Sequence, residues 1–105
     1  MDVFFAHPKI EKYLRTLEPA VLAEVSRTIF LLEEHGHALR APDSKSLGNG
    51  LFELRIIDIV HVRIIYMFQK DSAILLHAFT KKTGPIPKAD MAYARRLKKE
   101  WDKIA

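Results

Sequence analysis

Leu51-Phe52-Glu53-Leu54-Arg55-Ile56 is the stretch at which apolar residues begin to recur at every second position of the chain. Such alternation is typical of a β-strand. The same period continues through residues 60–68 and 73–80, which are separated by the turn-forming sequence Gln69-Lys70-Asp71-Ser72. A turn around residues 57–59 joins the first two strands. These connections are too short for a crossover helix, so we expect the three strands to be antiparallel.

The residues before this sheet predict a strand and two helices. Residues 2–6 are a short apolar run, which we interpret as a first strand. Pro8 and Pro19 each begin a helix, because proline is favoured at the first helical position, and Gly36 ends the second one. Residues 36–50 are rich in Gly, Pro, Ser and Asn, and we interpret them as a loop. The apolar stripes of the two helices are Ile10, Tyr13, Leu14 and Leu17, and then Val21, Leu22, Val25, Ile29, Phe30 and Leu32.

The residues after the sheet predict one more helix. Pro87 starts it, and its apolar residues Met91, Ala94, Leu97 and Trp101 lie on one face. The predicted order is therefore β-α-α-β-β-β-α. This is an α+β fold in which an N-terminal helical hairpin and a C-terminal helix pack against one face of a small antiparallel sheet. The length of 105 residues predicts a single domain over residues 1–105.

Composition and charge exclude several classes of site. The chain has no cysteine, which excludes disulfides, a Cys-based zinc site and a Cys nucleophile. It carries no HExxH, P-loop or GxGxxG motif. No stretch approaches the roughly 20 apolar residues that span a bilayer, and the first residues do not resemble a signal peptide, so we expect a cytoplasmic protein. The net charge is +4, and its excess lies after residue 50, as expected if one face meets a polyanion.

The cations of the predicted sheet suggest where that face lies. Arg55, Arg63, His77 and Lys81 are at positions of one parity on neighbouring strands, so we expect them to converge on the sheet face that the helices leave uncovered. Lys45, in the preceding loop, reaches the edge of this face. Plainer interpretations stay open. Arg55 could form a surface ion pair with Glu53 or Asp58, His77 could be a satisfied core histidine, and Lys81-Lys82 could be a solvated strand end.

The motifs in order resemble those of a toxin superfamily. They are Lys45-Ser46-Leu47, Gly50-Leu51-Phe52-Glu53-Leu54-Arg55, Arg63-Ile64-Ile65-Tyr66 and Leu75-Leu76-His77-Ala78-Phe79-Thr80-Lys81-Lys82-Thr83, followed by Pro87 and a charged helix. Together they resemble the phage Gp49/HigB-like branch of the RelE toxins of type II toxin–antitoxin systems. The resemblance covers essentially the whole chain and implies a RelE/ParE-like fold.

The resemblance also implies an activity, a partner and site residues. Many members of the superfamily are endoribonucleases that cleave ribosome-bound mRNA without a metal or cofactor, and a helix-turn-helix, HigA-like antitoxin silences them. On this basis Arg55, Arg63, His77 and Lys81 are the candidate catalytic residues, with both arginines on the phosphate. The candidate RNA-binding residues are Lys45, Lys82, Arg95 and Lys99. A departure is the C-terminus, which lacks the Tyr or His that many of these nucleases carry there, whereas Tyr93 lies within the last helix.

Two other functions remain open from the sequence. ParE-like relatives share the fold and poison DNA gyrase without cutting RNA. A non-catalytic module could instead dock its basic C-terminal helix on nucleic acid, and its binding would fall with salt. The same helix could instead be purely structural, with its apolar face packed on the core and its basic face in solvent.

Overall fold

The computed structural model describes residues 1–56, 61–81 and 84–104. The predicted turn at 57–59 and Lys82 lie outside the described residues. The elements, in chain order, are β1 (Asp2–Phe5), α1 (Pro8–Arg15), α2 (Pro19–His35), a short 3₁₀ turn (Gly36–Ala38), β2 (Ser44–Gly48), β3 (Leu51–Ile56), β4 (Val62–Gln69), β5 (Ser72–Thr80) and α3 (Lys88–Asp102). The α+β class is confirmed.

The helix boundaries follow from local chemistry. Pro8 and Pro19 stand in the first turns of α1 and α2, as the sequence predicts. The side chain of His7 caps α1 by accepting a hydrogen bond from the backbone N–H of Lys9 at 3.2 Å. Gly36 ends α2 at a φ of 51°, a backbone conformation that glycine adopts without strain.

The sheet has five strands in the order β1-β5-β4-β3-β2. Two expectations were wrong. Residues 44–48 are not loop but an edge strand, in which Lys45 lies opposite Glu53 of β3. The sheet is also mixed rather than antiparallel, because β1 pairs in parallel with β5. The chain between β1 and β5, which includes both helices, is long enough for the crossover that a parallel pair needs.

Helices cover both faces of the sheet, which corrects the expectation that they pack on one. On the first face α1 and α2 pack over Leu54, Ile64 and Leu75. On the second face α3 packs over Leu51, Ile65, Met67, Ile74 and Leu76 through Met91, Ala94, Leu97 and Trp101. Strand β4 is apolar on both sides, and this pattern is typical of a strand that is buried on both faces.

The predicted stripe of α2 is correct except at one position. Val21, Val25 and Leu32 are buried, whereas Phe30 is 55% exposed and the polar Thr28 is buried in its place. The Thr28 hydroxyl is satisfied because it donates to the backbone carbonyl of Glu24 at 2.9 Å. Within the described part of the chain, no helix is both long enough and apolar enough to cross a membrane.

Candidate functional site

Arg55 and Arg63 are directly opposite each other on β3 and β4, and a single carboxylate serves both. The Nε atom of Arg55 lies 3.0 Å from Glu53 Oε1, and the Nε atom of Arg63 lies 3.7 Å from Glu53 Oε2. All three side chains are on the sheet face that α3 covers in part. Among the described residues, neither Nε makes a hydrogen bond of good geometry, so the attraction is mainly Coulombic.

The two arginines differ in what they can reach. The side chain of Arg63 is 8% exposed, that of Glu53 is 3% exposed, and that of Arg55 is 31% exposed. Burial lowers the pKa of Arg63 and the adjacent Glu53 carboxylate opposes this shift. Its Nη1 also donates to the carbonyl of Val62 at 3.2 Å. Arg63 is therefore held inside the protein, and Arg55 is the member of the pair that can contact a ligand.

His77 lies on the same face, one strand further along, and α3 holds it. Its Nε2 is 2.6 Å from Oδ1 of Asp90 in the first turn of α3. Its ring stacks on Phe79, with centroids 5.1 Å apart, and makes a T-shaped contact with the Tyr93 ring, with centroids 4.9 Å apart. The side chain nonetheless stays 21% exposed. His77 is thus neither a fully buried core residue nor a free surface one, because it is fixed in orientation and open to solvent.

An open cleft of about 290 Å³ lies beside His77, between the first turns of α1 and α3. Its walls are His7, Lys9, Ile10, His77, Ala78, Ala89, Asp90 and Tyr93. The cleft therefore brings together two imidazoles, a phenol, a carboxylate and an ammonium group from three parts of the chain.

His7 and Tyr93 form the second polar pair of this cleft. Nε2 of His7 lies 3.0 Å from the Tyr93 hydroxyl. Burial lowers the pKa of His7, and the positive charges of Lys9 and His77 add to this effect. The neutral ring suits both contacts, since Nδ1 must be unprotonated to cap α1. Nε2 then carries the proton and donates it to the Tyr93 oxygen.

The remaining candidates lie around this face and are not all in one place. Lys81 follows β5 and is partly exposed, with its backbone N–H donating to the carbonyl of His61 at 2.8 Å. Lys45 is exposed on the edge strand β2, in register with Glu53. Arg95 and Lys99 are exposed on α3 and line a separate cleft of about 310 Å³ with Asn49, Leu51, Lys98 and Asp102.

The arrangement can supply what acid–base chemistry on an anion needs. Arg55 offers a guanidinium that stays protonated. One pairing further across the sheet, Phe79 lies opposite Arg63, and His77 is two residues from Phe79, which is about 7 Å along a strand. Arg55 and His77 are two strands apart and offset along the strands, so their Cα atoms are about 12 Å apart, a distance that the long arginine side chain can shorten.

Sequence reasoning missed Glu53, Asp90 and His7 as parts of this site. Glu53 was considered only as a surface partner of Arg55, although its position inside a strand, in line with Arg55, was a usable signal. Asp90 and His7 carried no comparable signal. They reach His77 and Tyr93 only because α3 folds back over the sheet and because β1 lies beside β5.

Two comparisons with known proteins bear on this site. The family described as phage derived protein Gp49-like matches residues 12–99. This match includes both arginines, His77, Asp90 and Tyr93, and it begins after His7. No curated protein matches the chain.

Proposed function

The chain belongs to the Gp49-like family of phage-derived proteins, a family of RelE/HigB-like toxins, and from this premise we propose that it is a toxin that acts as an endoribonuclease on mRNA. The observation that carries the proposal is that Arg55 lies on the same sheet face as the hydrogen-bonded pair of His77 and Asp90, with all three side chains partly exposed beside α3. Cleavage of a phosphodiester needs proton transfer and stabilisation of the negative charge on the phosphate, and an imidazole and a guanidinium can supply these.

The proposed reaction is internal transesterification of RNA. The ribose 2′-oxygen bonds to the adjacent phosphorus while the bond from phosphorus to the 5′-oxygen breaks. A base removes the proton of the 2′-hydroxyl, and an acid delivers a proton to the departing 5′-oxygen. The products are a 2′,3′-cyclic phosphate and a 5′-hydroxyl, and no external water or metal takes part.

Each residue has a stated part in this proposal. Arg55 contacts the phosphate oxygens, on which negative charge builds in the transition state. His77 transfers a proton, with Asp90 fixing its tautomer because the carboxylate accepts from Nε2. Arg63 keeps Glu53 and Arg55 in position from inside the protein. Lys81 adds positive charge at the end of β5.

The biological setting is part of the same proposal. The mRNA would be cut on the ribosome in the cytoplasm, with Lys45, Lys82, Arg95 and Lys99 contacting RNA. A helix-turn-helix antitoxin of the HigA-like kind would bind and silence the protein. The family membership supports this setting, and so do the exposed positions of Lys45, Arg95 and Lys99.

The test is cleavage of a defined mRNA in a translation extract, read by mapping the new 5′ ends. Arg55→Met keeps the apolar stem and removes the guanidinium. A charge-assisted hydrogen bond contributes about 1.5–3 kcal/mol, so we expect cleavage to slow roughly 10- to 150-fold. His77→Asn removes the proton-transfer group, and we expect a loss of about 10²- to 10⁴-fold.

Matched controls separate these effects from damage to the fold. Arg15→Met and His37→Asn alter an exposed arginine in the last turn of α1 and an exposed histidine, neither of which lines the clefts beside Arg55 and His77, and both should cleave at the wild-type rate. Undiminished cutting by folded Arg55→Met and His77→Asn would refute the assignment. A wild-type protein that leaves mRNA intact and causes DNA damage would favour gyrase poisoning. RNA binding without cleavage or growth arrest would favour the non-catalytic module.

A further inference from the structure

The residues that line the cleft beside His77 are of the kinds that bind a flat, polar ring. Ile10 and Ala78 are buried, and together with Ala89 they form its apolar part. The rings of His7, His77 and Tyr93 form its aromatic part. Its volume of about 290 Å³ is at the lower end of the range for small-molecule sites. Unstacked RNA bases are commonly held against aromatic side chains of this kind.

The Tyr93 hydroxyl is oriented by the groups behind it. Because His7 donates from Nε2 to the Tyr93 oxygen, the phenol proton must point away from His7. The Tyr93 ring is fixed as well, since its plane is at 72° to both histidine rings in T-shaped contacts, and the guanidinium of Arg96 lies 5.1 Å from its centroid. A hydroxyl on the cleft wall with its proton directed away from His7 is a ready donor to a ligand oxygen.

The carboxylate of Asp90 is a ready acceptor in the same cleft. Its Oδ1 is occupied by His77, and the side chain is 26% exposed. An ionised carboxylate accepts only, and its two oxygens offer several acceptor positions. An amino group of a base would satisfy the oxygen that His77 does not use. Lys9, which is exposed at the rim, supplies a cation for a phosphate.

We propose that this cleft binds one unstacked nucleotide of the RNA, next to the phosphate that is cut. The base lies against Ala78, Ala89 and the aromatic rings, and its exocyclic amino group donates to Asp90. The Tyr93 hydroxyl donates to a ribose or base oxygen, and Lys9 contacts the phosphate. The site therefore takes adenine, cytosine or guanine over uracil, whose N–H lies between two carbonyl oxygens that a carboxylate repels. This inference rests on the ribonuclease proposal for its substrate.

The first experiment measures binding without any cleavage. Adenosine, cytidine, guanosine and uridine 5′-monophosphates are titrated into the whole protein, and the ring resonances of His7, His77 and Tyr93 are followed by NMR. Ala89→Phe fills the cleft from its exposed rim, and Ala92→Phe makes the same change at an exposed position of α3 that does not line it. We expect the three amino-bearing nucleotides to bind wild type and Ala92→Phe, and to bind Ala89→Phe at least tenfold more weakly.

The second experiment maps cut sites on mRNA in a translation extract. We expect wild type and Ala92→Phe to disfavour uridine at one position next to the cut, and Ala89→Phe to lose this preference. Shifts outside the cleft, or equal binding by both variants, would overturn the inference. An unchanged preference in Ala89→Phe would overturn it too and leave the ribonuclease proposal standing. Nucleotide binding in the cleft by a wild type that cuts no RNA supports the site and refutes the ribonuclease proposal alone.

Discussion

Glu53→Gln is the substitution that best separates the structural part of the site from its chemical part. Gln keeps the shape of the side chain and removes the charge that faces Arg55 at 3.0 Å and Arg63 at 3.7 Å. Arg63 is then left almost fully buried without a counter-charge. Arg55 is less affected, because about a third of its side chain is in contact with solvent.

The size of the effect follows from this burial. Removing one partner of a buried ion pair costs about 3–5 kcal/mol. The exposed fraction of Arg55 and the amide that Gln retains place the expected loss near the lower limit, about 3 kcal/mol. A domain of this kind has a free energy of unfolding of about 5–15 kcal/mol. The variant should therefore stay folded, with a much smaller free energy of unfolding.

The assay is urea unfolding followed by circular dichroism at neutral pH. With a slope of about 1.5 kcal/mol per molar, the midpoint should fall by roughly 2 M. Glu24→Gln is the matched control, because Glu24 pairs with Arg27 at an exposed site, and its cost should stay below about 1 kcal/mol.

A double variant tests the reason for the loss. Glu53→Gln combined with Arg63→Met removes both buried charges, and most of the lost stability should return. If Glu53→Gln unfolds at the wild-type midpoint, or if the double variant is as unstable as the sum of the two single changes, the buried ion pair does not hold this part of the sheet.

Three further predictions concern other parts of the molecule. Ser44 and Tyr66 share a buried hydrogen bond of 2.6 Å between their hydroxyl groups, so Ser44→Ala should cost about 1–3 kcal/mol, and adding Tyr66→Phe should recover part of it in the same unfolding assay. Because burial lowers the pKa of His7 below 6.5 in the folded state, its contribution to stability should be fully present above pH 6.5 and be lost as the pH falls through the folded pKa; His7→Asn should show a weaker fall in stability between pH 7.5 and pH 5, and an equal fall would contradict the assignment. Lys99→Gln, at an exposed position of α3, should leave the unfolding midpoint unchanged and lower the slope of log K for RNA against log salt by about 1, whereas an unchanged slope would mean that Lys99 does not contact phosphate.

The sequence predicted the helices and the three main strands because their signals are local. Each signal acts within a few residues of the boundary that it sets. The signals are the prolines Pro8 and Pro19, the glycine Gly36 and the alternation that starts at Leu51. The edge strand at residues 44–48 was missed because its serines and glycine are typical of turns. It is a strand only because it pairs with β3, and this pairing is not visible in the local sequence.

The placement of the last helix was missed for a different reason. Its apolar stripe was predicted correctly, but a stripe does not say which face of a sheet it covers. On β4, Ile65 and Met67 alternate with the core residues and lie on the same side of the strand as Arg63. Because they are apolar, they indicated that this side of the sheet is also covered by a helix.

The sequence predicted the residues of the candidate site that lie on strands, but not the residues from other parts of the chain that contact them. Arg55, Arg63 and His77 do share a face, as strand parity requires. Parity does not indicate burial, however, so the difference between Arg55 and Arg63 could not be anticipated. The contacts of His77 with Asp90 and of Tyr93 with His7 join residues 13 and 86 positions apart.

The chemical ends of the RNA products test the proposed activity most directly. A defined mRNA is incubated with the protein in a translation extract, beside a copy that carries a 2′-deoxy nucleotide immediately 5′ to the mapped cut. Attack by the 2′-oxygen predicts a 5′-hydroxyl and a 2′,3′-cyclic phosphate from the first RNA and no cut at that position in the second. A 5′-phosphate with a 3′-hydroxyl, or equal cutting of the deoxy-substituted RNA, would contradict the account.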